Sequence, residues 1–186
     1  HQTASNSTII IDGAFSDRTL QKPYRITVID ALRHTSGELI PVGSQRLDWD
    51  ELEGADAIWF THCTPDTPLP DVPSGRPIVR SVLTPSAWLH RGQNKPLSSL
   101  TGEVDVAVGI AKPERFVCTL MDMGLNVRSL IRVRDHGEFG ELKPGTVMTE
   151  KDAARLPETA DVWALKMDLQ TEGTEALLTD IKNRCL

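Results

Sequence analysis

Short β-branched runs that alternate with amphipathic or polar stretches constrain this chain more than any other feature of its sequence. The runs "STIIIDG" (7–13), "YRITVIDA" (24–31), "DAIWFTH" (56–62), "EVDVAVGIA" (103–111), "NVRSLIRVRD" (126–135), "GTVM" (145–148) and "DVWALKMDL" (161–169) are rich in β-branched residues and flanked by turn formers, the signature of strands. Between them, "PERFVCTLMDMG" (113–124) predicts a helix, with Pro113 at the first helical position, Gly124 at the stop, and Phe116, Leu120 and Met123 on one face. "TEALLTDIKNRC" (174–185) predicts another, with Ala176, Leu177, Leu178 and Ile181 at helical spacing. Strand and helix in alternation imply an α/β layered fold with a mainly parallel sheet. The stretch "TPDTPLPDVPSGRP" (64–77) holds five of the twelve prolines, which excludes a central strand or a helix interior. A linker is expected there, running on through residues 81–100.

The 186 residues, 39% of them hydrophobic, suffice for one large domain or two small ones. Lys and Arg total 20 against 26 Asp and Glu, a formal charge of -6 without blocks of like charge. Nucleic acid is therefore not an expected partner, because phosphate neutralisation needs clustered cations. The three cysteines, Cys63, Cys118 and Cys185, are odd in number and widely spaced, which points to free thiols in a reducing compartment. No apolar run approaches the roughly 20 residues of a membrane-spanning helix. The chain opens on His1 rather than Met, so a fragment or a processed chain is expected.

Four constellations are candidates for chemistry. In "TIIIDG", Asp12 and Gly13 follow an apolar run; a carboxylate at the end of a buried strand is where phosphate-transferring folds hold Mg2+, although a plain turn has the same pattern. No Gly in the chain is followed by Lys, so the phosphate-cradling Gly-Lys-Ser/Thr loop is absent from these residues. Asp135-His136 follows a strand, and a histidine beside a carboxylate can serve in proton transfer or sit in an ordinary surface turn. His62, His34 and His90 make weaker cases and show no metal-ligand spacing. In "MTEKDAARL", Thr149 is expected to cap a helix by accepting from the N–H of Asp152, which leaves open whether Glu150 and Lys151 do more. In "VGIAKPERF", a strand runs through Gly109 into a helix N-terminus, a junction that binds anions or simply packs helix on sheet.

In order, "IDG" with "DRTL", "ITVIDA", "GELIPVGSQR", "LEGADAIWFT", "VAVGIAKPERFVCTLMDMGLNV", "RDH" and "MTEKDAARL" resemble the tetraacyldisaccharide 4'-kinase family. The most specific pieces are "GIAKPERF" and "MTEKDA", and the resemblance runs from about Thr8 to the end. It implies an N-terminal P-loop domain, a β linker and a smaller C-terminal α/β domain. On that pattern residues 1–63 are the remnant of the P-loop kinase domain with its Walker-B-like strand, 64–100 the Pro-rich and β linker, and 101–186 the C-terminal α/β domain. The family's Walker A loop and catalytic Asp base lie before the point where this chain begins.

The same resemblance implies roles for individual residues. Asp12 matches the second member of the family's Asp-Asp-Gly motif, which organises Mg2+, with Ile11 in place of the first Asp. His136, paired with Asp135, matches the histidine that supports the Asp base; Gly137 stands where the family commonly has a second His or an aromatic. Glu150, Lys151 and Asp152 match the Thr-Glu-Lys-Asp motif, read as a cap that shapes the cleft, and Gly13, Glu150 and Lys151 are the implied nucleotide contacts. The implied activity is transfer of the ATP γ-phosphoryl group to the 4'-hydroxyl of the lipid A disaccharide precursor. That places the protein peripherally at the cytoplasmic face of the bacterial inner membrane. The competing expectation is a non-catalytic remnant or split subunit that binds a partner and has no kinase activity of its own.

Overall fold

The structure, a computed structural model, describes residues 9–13, 24–32, 49–134, 137–157 and 159–185. The expected site residues Asp135 and His136 lie outside them, as does His34. Two compact units are present, one formed by His1–Val82 with Gln170–Leu186 and the other by Leu83–Leu169. These boundaries differ from the segments 1–63, 64–100 and 101–186 expected from sequence. A linear reading has no means of seeing that residues 170–186 return to the first unit.

In the first unit, β1 (Ile26–Asp30), β2 (Ala57–Thr61) and the start of β3 (Ile78–His90) run parallel in that order. Ile58 and Phe60 pack with Ala31, Ala55 and Cys63 in one cluster. Ala57 and Val79 form another with Leu177 of α3 (Thr174–Cys185). Leu177 and Ile181 face this sheet four residues apart, whereas Leu178, one position on, is 55% exposed. That is the helical period resolving which of the apolar residues points inward. The Tyr24 hydroxyl donates to Asp180 at 2.6 Å, adding a polar tie between the strand edge and the same helix.

The Pro-rich residues 64–77 form no helix or strand. Their carbonyls are used instead by Arg80 of β3, whose Nη1 donates to Thr64 at 3.1 Å and Thr67 at 3.0 Å and also to Pro65. Residues 81–100, expected to continue the linker, hold most of β3 and its hairpin partner β4 (Gln93–Lys95). Pro85 is accommodated because β2 pairs with β3 only at Ile78 to Arg80 and β4 only at Trp88 to His90, so the strand needs no N–H between them on that side. The run Ile9–Ile11, expected to end a buried strand at Asp12, is not in a strand and is largely exposed. No described strand pairs with it, and apolar composition without a ladder partner does not make a strand.

In the second unit the order is β3-β8-β7-β5-β6, with β5 (Gly102–Val108), β6 (Leu125–Arg132), β7 (Thr146–Thr149) and β8 (Val162–Glu172). Strands β6, β5, β7 and β8 are mutually parallel. The hydroxyls of Thr84 and Ser86 donate to the carbonyls of Asp168 and Lys166, so β3 and β8 run in opposite directions. The sheet is thus mixed but dominated by parallel pairs. Both faces of β5 are covered, which explains why Val106, Ala107 and Val108 are apolar on both faces in succession. Val104, Val106 and Val108 meet Phe116 and Leu120 of α1 (Pro113–Asp122) together with Trp88 and Leu165. On the other face Ala107 packs with Met148 and Val162, against Phe139, Leu142 and Leu156.

Strand β8 enters α3 through Gly173, whose φ is +86°. A Cβ at this position would collide with the Ile78 carbonyl oxygen. Gly173→Ala is therefore expected to destabilise the first unit by at least about 2 kcal/mol, combining backbone strain with a clash that only a main-chain shift relieves. A urea melt followed by far-UV circular dichroism measures this. An unchanged midpoint would contradict the close approach of β3 to this turn.

Candidate active site

The chemistry-bearing part of the second unit begins where β5 ends. Gly109 follows the strand, and its N–H donates to the Asp152 carboxylate Oδ2 at 3.0 Å. A Cβ on Gly109 would lie 2.9 Å from Val133 Cγ2, 3.1 Å from Asp152 Oδ1 and 3.3 Å from Arg155 Nη1. Only glycine lets the main chain come this close to the carboxylate. Two residues of "VGIAKPERF" explain the next step: Lys112 precedes the helix without a side-chain cap, and Pro113 opens α1 with the φ that a first helical turn requires.

Asp152 lies on the short helix α2 (Glu150–Ala153) and is wholly buried. Thr149 caps this helix as the sequence predicts, its Oγ1 accepting from the Asp152 N–H at 3.2 Å. The same hydroxyl donates to Asp152 Oδ2 at 2.8 Å. Oδ1 makes no hydrogen bond, and Arg155 Nη1 stands 3.6 Å from it. Asp152 is therefore more than a capping position: its carboxylate joins the β5–α1 turn to the β7–α2 turn through a site without water access. Sequence reading assigned it only the cap, because the partner N–H is 43 residues away. Glu150 and Lys151 flank it on the exposed side of the same helix.

Arg155 also reaches the segment that follows Asp135-His136. Its Nη2 donates to the Gly137 carbonyl, and its guanidinium carbon lies 5.5 Å from the centroid of the Phe139 ring. The Gly137 N–H donates to the Arg134 carbonyl at 2.7 Å, and the Val133 N–H to Val108 at 3.0 Å. The residues on either side of the Asp-His pair are thus tied to each other, to β5 and to Arg155, two residues beyond α2.

Asp12 and Gly13 form an exposed turn in the first unit, with Gly13 at φ +69°. Among the described residues, no group of three or more His, Cys, Asp or Glu gathers in a way that could hold a metal ion. His62, set aside in the sequence as structural, pairs through Nδ1 with Asp30 Oδ1 at 3.1 Å. The two residues stand at the C-terminal ends of the parallel neighbours β1 and β2, and His62 has the uncommon φ of +57°. Both predicted strands ended in a titratable residue, "VIDA" and "FTHC"; only their parallel pairing brings the two together. His90 stacks on Trp163 with ring centroids 4.1 Å apart and contacts Asp161 through Nε2 at 2.8 Å. His90, then Arg91, hold the Asp161 carboxyl below its ordinary range. On β5, Asp105 is held further below that range by Arg128 and then Ser129, an ion pair that fastens β6 beside it.

The class defined by this fold is that of an α/β structure already solved. The crystal structure of the "apo" form of LpxK from Aquifex aeolicus in complex with ATP matches with a TM-score of 0.75 over 93% of this chain and 56% of that one, at 22% identity. The sequence model of the family described as Tetraacyldisaccharide-1-P 4'-kinase matches residues 1–186, and the chain belongs to that family. A tetraacyldisaccharide 4'-kinase of Methylibium petroleiphilum is 30% identical over 88% of this chain and 50% of its own length. One of Neisseria gonorrhoeae is 31% identical over 84% of this chain and 48% of its own length. The chain thus spans about half the length of the curated relatives it matches.

Proposed function

We propose that this chain forms part of an ATP-dependent kinase that phosphorylates the 4'-hydroxyl of the tetraacylated glucosamine disaccharide of lipid A biosynthesis. The carrying observation is the contact between the two most distinctive motifs. Gly109 of "GIAKPERF" donates to Asp152 of "MTEKDA" at a position where no larger residue fits. The names of the relatives support the same reading. Phosphoryl transfer of this kind rests on positioning and charge neutralisation, with a carboxylate taking the hydroxyl proton.

In this reading His136, with Asp135, supports that carboxylate base. Asp12 would hold Mg2+: an exposed carboxylate suits a cation that keeps several waters and otherwise rests on substrate phosphates. The cation would neutralise charge on the transferred group. Gly13, Glu150 and Lys151 are the nucleotide contacts in the proposal. Because the acceptor is a lipid, the protein works peripherally at the cytoplasmic face of the bacterial inner membrane. Among the described residues no helix is long and apolar enough to cross it.

The test is transfer of labelled γ-phosphate from ATP to the tetraacyl disaccharide in detergent micelles by a polypeptide that carries this chain together with a Gly-Lys-Ser/Thr loop. A folded polypeptide of that kind without transfer would favour the non-catalytic alternative. The 186 residues alone are expected to show no micromolar ATP affinity in calorimetry, since their sequence contains no Gly-Lys-Ser/Thr loop to cradle the triphosphate. Micromolar binding by them would move the phosphate site into this chain.

A further inference from the structure

We propose that His62, aimed by Asp30, accepts from a sugar hydroxyl of a substrate at the carboxyl edge of the first unit's sheet. The inference rests on the kinase reading above for the identity of the substrates. Both carry sugars, the ribose of ATP and the glucosamine rings of the acceptor. In parallel α/β sheets, ligands sit beyond the carboxyl ends of the strands, where loops can shape a site without breaking the ladder. Asp30 ends β1, and His62 directly follows its parallel neighbour β2.

The backbone gives the first argument. At φ +57°, His62 holds a conformation that glycine adopts without steric strain and a histidine does not. The turn is fixed from both sides. The Ala31 N–H donates to the Thr61 carbonyl at 2.9 Å, the Thr61 hydroxyl to the Ile29 carbonyl at 3.3 Å, and the Cys63 N–H to the Ser81 carbonyl at 3.0 Å. The chain then enters the loop whose Thr64 and Thr67 carbonyls Arg80 holds. A strained side chain on a rigid turn, where glycine would fit, marks a place where the side chain itself has a task. The ring gives the second argument. Nδ1 stands 3.1 Å from Asp30 Oδ1, and the same oxygen accepts from the Leu32 N–H at 3.2 Å, which ties the carboxylate to its own turn. A carboxylate only accepts, so in the neutral ring Nδ1 carries the proton and Nε2 keeps its lone pair. With 37% of the His62 side chain exposed, the imidazole borders solvent. Such a pair accepts from a hydroxyl and offers a phosphate oxygen no donor, which selects a sugar over the triphosphate.

His62→Gly in the full-length polypeptide tests this, because glycine keeps the turn and removes the ring; a thermal melt near the wild-type midpoint is expected. Binding is read by calorimetry, without turnover. If the hydroxyl belongs to the ribose, the Kd for ATP rises about tenfold, whereas 2'-deoxy-ATP or 3'-deoxy-ATP, whichever lacks the bonded group, binds both proteins equally. If it belongs to the acceptor, the Kd for the disaccharide in micelles rises about tenfold and that for ATP stays unchanged. Asp30→Asn leaves the turn untouched and removes the charge that fixes the tautomer, so it should weaken the same ligand by a smaller factor. Unchanged binding of both ligands by a folded His62→Gly protein would overturn the proposal, as would an equal loss for ATP and both deoxynucleotides. If glycine unfolds the protein, unchanged binding by Asp30→Asn overturns it instead. A wild-type polypeptide that binds both ligands in the expected way and transfers no phosphate sinks the kinase reading alone; one that binds neither sinks both.

Discussion

Asp152→Ala is expected to destabilise the protein by about 3 kcal/mol, because this wholly buried carboxylate accepts from the Gly109 N–H and the Thr149 hydroxyl and its removal leaves a buried donor unsatisfied. The substitution leaves the Gly109 N–H without its acceptor and Arg155 without its anion, and it opens space beneath both turns. The capping bond from Thr149 to the residue 152 N–H survives, because it uses the main chain. Loss of a cap alone would cost about 1 kcal/mol, so the size of the effect separates the two roles. Asp152→Asn keeps the shape and one acceptor oxygen, and should lie between wild type and the alanine variant. Equilibrium urea unfolding of the three proteins, followed by far-UV circular dichroism and by the fluorescence to which Trp88 and Trp163 of the second unit contribute, provides the comparison. A loss of only about 1 kcal/mol in the alanine variant would reduce Asp152 to a capping position.

Features carried by local chemistry were legible in the sequence. The α1 helix follows from Pro113, Gly124 and the spacing of Phe116 and Leu120, and both of these apolar residues are buried. Strands β1, β2, β5, β6, β7 and β8 fall on the β-branched runs, and Thr149 caps α2 as its spacing from Asp152 requires. The 13 residues of β3 overlap the segment expected as a Pro-rich and β linker, and only the pairing pattern on either side of Pro85 shows why one continuous strand tolerates it. The opposite error arose at Ile9–Ile11, where apolar composition suggested a strand that has no described partner.

The candidate site divides along the same line. Gly109 and Asp152 each stood out in their own motif, but neither motif announces the other, and the bond between them depends on β5 and β7 being parallel neighbours. Asp30 and His62 likewise become a pair only through the β1–β2 register, which sets Asp30 opposite Thr61. The return of α3 to the first unit rests on Leu177 and Ile181 meeting Ala57 and Val79, contacts between residues more than 90 positions apart. Periodicity identifies the helix face; it cannot identify the sheet that receives it.

His136→Ala is where a turn histidine and a catalytic one predict the most different outcomes. A surface turn residue should change stability by about 0.5 kcal/mol or less and leave catalysis alone. A histidine that supports the carboxylate base should lower kcat by roughly 100- to 10,000-fold. The lower end is expected, because the base itself remains and only its orientation and charge environment change. The KM for ATP should move little, since the proposed nucleotide contacts do not include His136. The acidic limb of the pH–rate profile should shift or disappear, because a neighbouring imidazole that gains charge as pH falls favours the ionised carboxylate, and alanine removes that coupling. The linkage has a definite sign: with the histidine present the base stays ionised to lower pH, so its loss should move the acidic limb towards neutrality. Steady-state kinetics of the full-length His136→Ala enzyme on the lipid acceptor in micelles, alongside a thermal melt, decide the matter. A folded variant with wild-type kcat and an unmoved acidic limb would end the catalytic role of His136 while leaving the family membership intact, since that rests on the match across residues 1–186.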